Sequence, residues 1–381
     1  MRREVSILGT RGVPAQYGGF ETCAERVALD LVEKGWGVTV YCQASGGGPI
    51  SEDFWRGVRR VHVPVSREGP LGAMLFDWKS TLHAAKEGRL VLTLGYNTGI
   101  FFAIYRLFGV PNVVNMDGIE WKREKWGPAA TAWLYLNERA ACILANHLIS
   151  DHPAITPYLA TRVRESKITT IAYGADEVAS ADISLIGRWQ LSPHGYVLAV
   201  ARAQRDNQVL EIVRAFSARP RGVKLVVVGD YDANGPRYQQ EVVSAAGPEV
   251  IFSGPIYDAP VLSALRFYCR LHIHGHKVGG TNPSLLEAMA SGNPVLAHEN
   301  PYNRWVAGDG AAYFLDERTL DAQLGALLTD ESALRKLSEA GRRRHGEMFT
   351  WEVVLSQYEE LLGRWHPRSA DGSDEIAQPP V

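Results

Sequence analysis

At 381 residues, with 46% hydrophobic and 22% charged side chains, the chain has room for two domains of ordinary size and the composition of a globular protein. Its formal net charge of -2 gives no electrostatic case for general nucleic-acid binding. Four widely spaced cysteines, Cys23, Cys42, Cys142 and Cys269, form no CxxC pair, which argues against zinc and for a reducing compartment with buried thiols.

MRREVSILGT opens with an apolar run of strand length closed by Gly9, too short for a signal peptide, and no run of about twenty apolar residues follows, so no membrane span is expected. Val5 to Leu8 reads as the first strand of a parallel sheet. The loop GTRGVPAQYGGFE follows, then a helix from about Glu21 to Lys34 and a strand at Val38 to Tyr41. Gly9, Gly12, Gly18 and Gly19 do not fall in the GxGxxG register of a dinucleotide fingerprint. Strands at Arg59 to Val65, Leu90 to Leu94 and Asn112 to Asn115 continue the alternation, with helical stretches near Phe76 to Glu87 and Gly99 to Phe108. The second stretch is strongly apolar and reads as a helix packed on the sheet, with a membrane-skimming helix as the alternative. NMDGIEWKREKW then leaves a strand's carboxyl end, where ligands of open α/β sheets gather. A helix from about Thr131 to Ala145 leads to a strand at Leu148-Ile149, and Asp151 again sits at a strand end, with capping of the helix near Pro153 as its structural alternative.

A polar linker, Glu177 to Pro193, precedes a restart of the alternation at Tyr196 to Val200, with Arg202 directly after that strand. Lys224 to Val228 is a buried strand followed by GDYD, and Ile251 to Pro255 is the next strand and turn. The densest pattern is HIHGHKVGGTNPSLLEAMASG, from His272 to Gly292. It reads as a short strand, a Gly279-Gly280 turn and a helix capped by Asn282, with Pro283 at its first position and Gly292 as its stop. A glycine turn feeding a helix N-terminus makes an anion site. Glu287, one turn into that helix, can accept two hydrogen bonds from a vicinal diol such as a nucleotide ribose. His272, His274 and His276 share a strand face, but no acidic or cysteine ligand accompanies them, so no metal site is expected. Strand Pro294 to Ala297 leads to HENPYNRWV, where Asn300 or Asn303 could approach the same ligand. Helices from Asp321, Ser332 and Trp351 follow, and the Pro-, Ser- and Asp-rich end should be disordered.

The segment His272 to Gly292, with GTRGVPAQYGGFE and NMDGIEWKR, resembles the retaining enzymes of glycosyltransferase family 4, and more narrowly their bacterial rhamnosyltransferase-like branch. Many family members carry two glutamates with seven residues between them; Glu287 matches the second, and Gly279 stands in place of the first. The resemblance implies donor binding by Gly18, Gly19, Arg202, Asn207, Pro255, His276, Gly279, Gly280, Thr281, Asn282 and Glu287, with Asp117, Asp151 and Arg202 as catalytic candidates. Two departures stand out. Asn207 replaces a diphosphate-binding lysine, and Asp117 replaces a histidine that often meets the donor's 6-hydroxyl, which suits a 6-deoxy sugar. The Asp230 and Asp232 pair spells a DxD metal motif that belongs to glycosyltransferases of another fold, and is rejected as a metal site. Trp121, Lys122, Arg123, Lys125 and Trp126 read either as a surface for a lipid-diphosphate acceptor or as a solvated helix start.

The fold implied is α/β of GT-B type: two Rossmann-like domains facing across a cleft, with a C-terminal helix crossing back to the first. The expected division is an acceptor-side domain over 1–180, a nucleotide-sugar domain over 181–350, the crossover helix over 351–365 and a disordered tail over 366–381. The implied activity is retaining, metal-independent transfer of a sugar, L-rhamnose from dTDP-rhamnose, to a lipid-linked or polysaccharide glycan, with no cofactor and no nucleic acid. The expected location is the cytoplasm, with peripheral contact at the inner face of the plasma membrane. The rival readings are a UDP-hexose transferase, a sugar-nucleotide 2-epimerase of the same fold, and a silent nucleotide-sugar-binding protein.

Overall fold

The computed structural model describes residues 2–16, 18–123 and 126–366. Tyr17 of the glycine loop, Lys125 of the basic aromatic cluster and 367–381 of the expected tail lie outside them. By contacts the chain forms two units: residues 1–115, 140–148 and 357–381 in the first, and 116–139 and 149–356 in the second. Among the described residues, no helix is long and apolar enough to cross a membrane.

The first sheet contains β1 (Glu4–Leu8), β2 (Gly37–Ser45), β3 (Ser51–Trp55), β4 (Val58–Val65), β5 (Leu90–Leu94), β6 (Asn112–Asn115), β7 (His147–Ser150) and β8 (Ile168–Thr170), in the order β3-β4-β2-β1-β5-β6-β7-β8. Its inner strands are apolar runs because helices cover both faces: Val5, Ile7, Val40, Leu90, Val91 and Leu92 are all fully buried. Each such side chain contributes about 1.5–3 kcal/mol by leaving water. The helix Gly19–Glu33 buries Cys23, Ala24, Val27, Ala28 and Leu31, one stripe at helical spacing. β3 pairs antiparallel with β4, and the sequence reading missed it. It is an exposed edge whose Glu52 and Asp53 pair with Arg59 and Arg60 of β4, so it is held by charge rather than by an apolar face.

The second sheet contains β9 (Tyr196–Val200), β10 (Lys224–Val228), β11 (Val250–Gly254), β12 (Leu271–His274), β13 (Val295–His298) and β14 (Ala311–Phe314), in the order β11-β10-β9-β12-β13-β14, all parallel. The helix Val209–Ser217 buries Val209, Leu210, Ile212, Val213, Ala215 and Phe216 against it and leaves Glu211 and Arg214 on the other side. Both sheets sit within Rossmann-like α/β layers, as the sequence implies.

Each sheet also has a point where the chain's direction of growth reverses. In the first it lies between β1 and β5, and in the second between β9 and β12. Ligands of open α/β sheets bind beyond the carboxyl ends of the strands at such points.

The last helix, Trp351–Trp365, begins among residues of the second unit and ends among those of the first. In the first unit its Tyr358 is 1% exposed, and the phenol oxygen accepts from Asn115 Nδ2 at 2.9 Å and from the Cys23 thiol at 3.7 Å.

Candidate functional site

At the reversal point of the second unit, β9 delivers Arg202 and β12 delivers His276 and the Gly279-Gly280-Thr281 turn. The turn feeds the helix Pro283–Ala290. Asn282 caps that helix, its side-chain oxygen accepting from the Ser284 amide at 3.0 Å, and Pro283 takes the first helical position. Leu285, Leu286, Ala288 and Met289 are fully buried, which anchors the helix and leaves Glu287 half-exposed at its rim. Ser284 Oγ donates to the Val200 carbonyl at 3.3 Å and ties the helix start to the end of β9.

Asp151 fits into the glycine turn. Its Oδ2 accepts from the Thr281 amide at 3.1 Å, and its carbonyl accepts from the Thr281 hydroxyl. A Cβ on Gly280 would stand 1.9 Å from Asp151 Oδ2 and 2.2 Å from its carboxyl carbon, so the contact requires glycine at that position. Asp151 Oδ1 is shielded from solvent and has no partner among the described residues. Burial pushes this carboxyl well above the usual carboxylate range, and the Asp117 charge adds to the shift while the Thr281 amide opposes it. Asp117 has a left-handed backbone (φ 52), and a Cβ on the next residue, Gly118, would lie 3.8 Å from Gly279 Cα. The structure therefore groups Asp117, Asp151, Gly279, Gly280 and Thr281.

His276 extends the group. Its ring stacks on His274 at 4.3 Å and 9°, and its carbonyl accepts from Asn300 Nδ2 and Asn303 Nδ2, each at 3.0 Å. Burial lowers the His276 pKa to about 4; Asp206 opposes this, and Arg202 and Arg123 reinforce it. The ring is therefore neutral near pH 7, beside exposed Arg202. His272 and His274 are buried, and none of their four ring nitrogens has a partner among the described residues. His272 packs in the core, with a pKa lowered to about 3 by burial first and Arg266 second.

Asn207 is 2% exposed, and its Nδ2 donates to the Arg202 carbonyl at 2.9 Å. It shapes the loop that presents Arg202. Pro255 is exposed just after β11. Gly18 and Gly19 belong to the first unit, where Glu21 and Glu25 of the following helix accept from the Arg11 and Ala15 amides at 3.2 and 2.6 Å. Asp232 Oδ1 accepts from the Asn234 amide at 2.9 Å, an ordinary turn contact.

A model described as Glycosyl transferases group 1 matches residues 194–330, which contain this whole strand-turn-helix arrangement, and one described as a domain of unknown function (DUF1972) matches 2–176. Residues 194–330 thus carry a domain of the glycosyl transferases group 1. Among its relatives, the MMP alpha-(1->4)-mannosyltransferase of Mycolicibacterium hassiacum is 29% identical over 197 residues, 49% of this chain and 43% of that one. The capsular polysaccharide biosynthesis glycosyltransferase CapM of Staphylococcus aureus is 23% identical over 257 residues, 60% of this chain and 65% of that one. These matches thus span 43% to 65% of those relatives' own lengths. Among solved structures, sucrose-phosphate synthase from Thermosynechococcus elongatus superposes with a TM-score of 0.79 at 19% identity, covering 95% of this chain and 99% of that one. Anabaena HepE, solved with UDP and glucose, gives 0.74 at 17% identity, covering 95% and 100%. The fold is GT-B.

Two groups escaped the sequence reading. Arg266, in the last turn of the helix Ala259–Phe267, is 6% exposed and forms an ion pair with Glu287. Nothing in VLSALRF separates it from a solvated arginine, since its partner lies 21 positions away. The second group is the tether of the basic aromatic cluster. Arg123 donates to Asp206 at 3.1 Å and to Glu120 at 3.2 Å, and the Trp121 indole donates to buried Glu138 at 2.8 Å. Lys122 lies 5.5 Å above Trp121 and 5.1 Å above Tyr158. Arg123 and Trp121 are thus committed to internal partners rather than forming a simple solvated helix start.

Proposed function

We propose that the protein is a retaining, metal-independent glycosyltransferase that moves L-rhamnose from dTDP-rhamnose onto a growing glycan, lipid-linked at the inner face of the plasma membrane. The observation that carries a nucleotide-sugar donor is the capped helix Pro283–Ala290 behind the Gly279-Gly280-Thr281 turn, with Glu287 on its rim and Arg202 at the neighbouring strand end. A glycine turn at the positive end of a helix dipole and a guanidinium suit a diphosphate, and a carboxylate one turn on suits a pentose hydroxyl. The 6-deoxy sugar rests on Asp117 in place of a histidine and on the resemblance of HGHKVGGTNPSLLEAM to the rhamnosyltransferase-like branch.

In this reading the leaving diphosphate oxygen takes the proton of the attacking acceptor hydroxyl on the same face of the sugar. The C1–O bond to phosphate breaks as the new C1–O bond forms, so configuration is kept without a covalent enzyme intermediate. Arg202 and the Gly280 amide stabilise charge on the departing diphosphate, and fixed donors do this without reorganising. Asp117 meets the sugar or the acceptor, and Asp151 holds the turn in place. A UDP-hexose donor is the second reading, favoured by the UDP and glucose bound to HepE.

The test is transfer of radiolabel from dTDP-rhamnose, UDP-glucose and GDP-mannose to a membrane extract of an envelope-polysaccharide-producing bacterium. Label moving from dTDP-rhamnose alone supports the proposal, and label moving only from a hexose donor replaces it with the second reading. Isomerised sugar nucleotide without acceptor points to an epimerase, and binding without turnover to a silent protein.

A further inference from the structure

In the first unit the helix Gly69–Glu87 is built inside out. Its polar residues Asp77, Ser80 and Thr81 line the cavity at the strand ends, where Asp77 accepts from the Thr98 hydroxyl at 2.9 Å. Its apolar residues Leu71, Met74, Leu75, Trp78 and Leu82 recur at helical spacing and so form one stripe. That stripe is turned outward: Leu71 is 60% exposed, Trp78 is exposed, and the other three are half-buried. The stretch 99–108 repeats the pattern. Phe102, Ile104 and Tyr105 pack inward, whereas Ile100, Leu107 and Phe108 are exposed, Leu107 at 83%. The Trp78 and Phe101 rings meet edge to face at 5.3 Å and join the two stripes into one patch. Scattered exposed leucines are ordinary, but an apolar patch shared by two packed helices marks a contact surface.

The charge around the patch selects the partner. Within 69–110 the acidic residues are Asp77 and Glu87. Asp77 lines the cavity and Glu87 pairs with Arg59 and Arg89, so neither brings an uncompensated negative charge to the patch. Lys79 and Lys86, seven positions apart, run along one flank of the stripe on Gly69–Glu87, and Arg106 precedes Leu107. Lys79 Nζ donates to the Pro64 carbonyl at 2.8 Å and Arg106 to the Leu144 and Ala145 carbonyls, so neither charge is neutralised by these contacts; Lys86 is exposed. Anionic headgroups over an acyl layer match both features, with leucine and tryptophan entering the apolar boundary and lysine and arginine staying at the phosphates. We propose that the outward faces of Gly69–Glu87 and 99–108 are the surface on which the protein lies against an anionic bilayer. The choice of a lipid partner rests on the lipid-linked acceptor of the proposed function.

The experiment is co-sedimentation of the full chain with phosphatidylcholine vesicles, with and without phosphatidylglycerol and with neither donor nor acceptor present. Wild type should partition at least tenfold more strongly onto the anionic vesicles and lose that gain in high salt. Leu71→Gln combined with Leu107→Gln, both at exposed positions, should weaken binding at least tenfold at unchanged melting temperature. Lys86→Gln should weaken it about fivefold, the scale of one cation at an anionic surface. Should the double variant melt early, Leu107→Gln alone should still weaken binding threefold or more. A double variant that binds like wild type overturns the inference, as does binding to neither vesicle or binding indifferent to phosphatidylglycerol. If a second copy covers the patch instead, sedimentation velocity will show a wild-type dimer that the double variant dissociates, without vesicle binding, and that result also overturns it. Vesicle binding without rhamnosyl transfer sinks the proposed function and keeps the surface; transfer to a detergent-solubilised acceptor without vesicle binding does the reverse.

Discussion

The two reversal points grow from the same topology and carry opposite chemistry. In the first unit, β1 and β5 end at a cavity of about 40 Å3 lined by Asp77, Ser80, Thr81, Thr93, Asn97 and Thr98 among others, with no cationic side chain in its wall. Gly9 lets the two strand ends meet, since a Cβ there would stand 2.1 Å from the Leu94 carbonyl oxygen. Asp77 accepts from the Thr98 hydroxyl at 2.9 Å, and burial raises its pKa to about 6. In the second unit the corresponding place presents Arg202, a neutral His276 and a glycine turn at a helix start. A parallel sheet fixes where a ligand can sit; the side chains at the strand ends fix its charge. The first crevice is lined by hydroxyls, an amide and one carboxyl, and the second by a guanidinium and a helix start.

The sharpest way to break the second crevice is Gly280→Ala. The added Cβ overlaps the Asp151 carboxylate, so a cost of about 1–3 kcal/mol is expected from overpacking, together with loss of any melting-temperature shift by UDP or dTDP. Adding Asp151→Gly to the same chain should return most of the stability. Wild-type melting of Gly280→Ala alone would mean that Asp151 does not sit in the turn.

A smaller effect is expected from Asp151→Asn. A carboxyl whose folded pKa is raised destabilises the fold when ionised; the penalty is absent below the unfolded value of about 4 and complete above the folded value. The amide should therefore melt higher than wild type at pH 8, by about 1–2 kcal/mol, with the gap closing toward pH 4. A gap that does not change with pH contradicts the account.

Asp77→Asn should do the same at the first crevice on a scale of about 1 kcal/mol, developing between pH 4 and its folded pKa of about 6. Because Asp77 belongs to the other unit, the variant should keep the wild-type nucleotide shift. Loss of that shift would blur the distinction between the crevices.

Much of this was legible in the chain. Alternating apolar runs and turns located the inner strands, because parallel strands buried on both faces leave an unmistakable pattern. Asn282, Pro283 and Gly292 marked the helix limits through local rules of capping and left-handed backbone. What escaped was set by distant partners. β3 is an exposed edge paired by charge, so it lacks apolar alternation. The wedge of Asp151 on Gly280 joins positions 129 residues apart, and Arg266 reaches Glu287 from a neighbouring helix. The Asn207 side chain, read as a donor contact from its place in a motif, also donates through Nδ2 to the Arg202 carbonyl. A motif gives the position of a residue and leaves its hydrogen bonds to the fold.

The central claim is that the second crevice holds a nucleotide-sugar diphosphate. It is tested most directly by the melting temperature of the wild type and of Glu287→Ala with dTDP-rhamnose, UDP-glucose and GDP-mannose. A ligand at a hundred times its dissociation constant stabilises the folded state by about 2.7 kcal/mol. The account predicts a rise with dTDP-rhamnose that Glu287→Ala removes. A rise with UDP- or GDP-hexose alone would contradict the rhamnosyl donor and leave the crevice assignment standing, and no rise with any of the three would contradict the central claim.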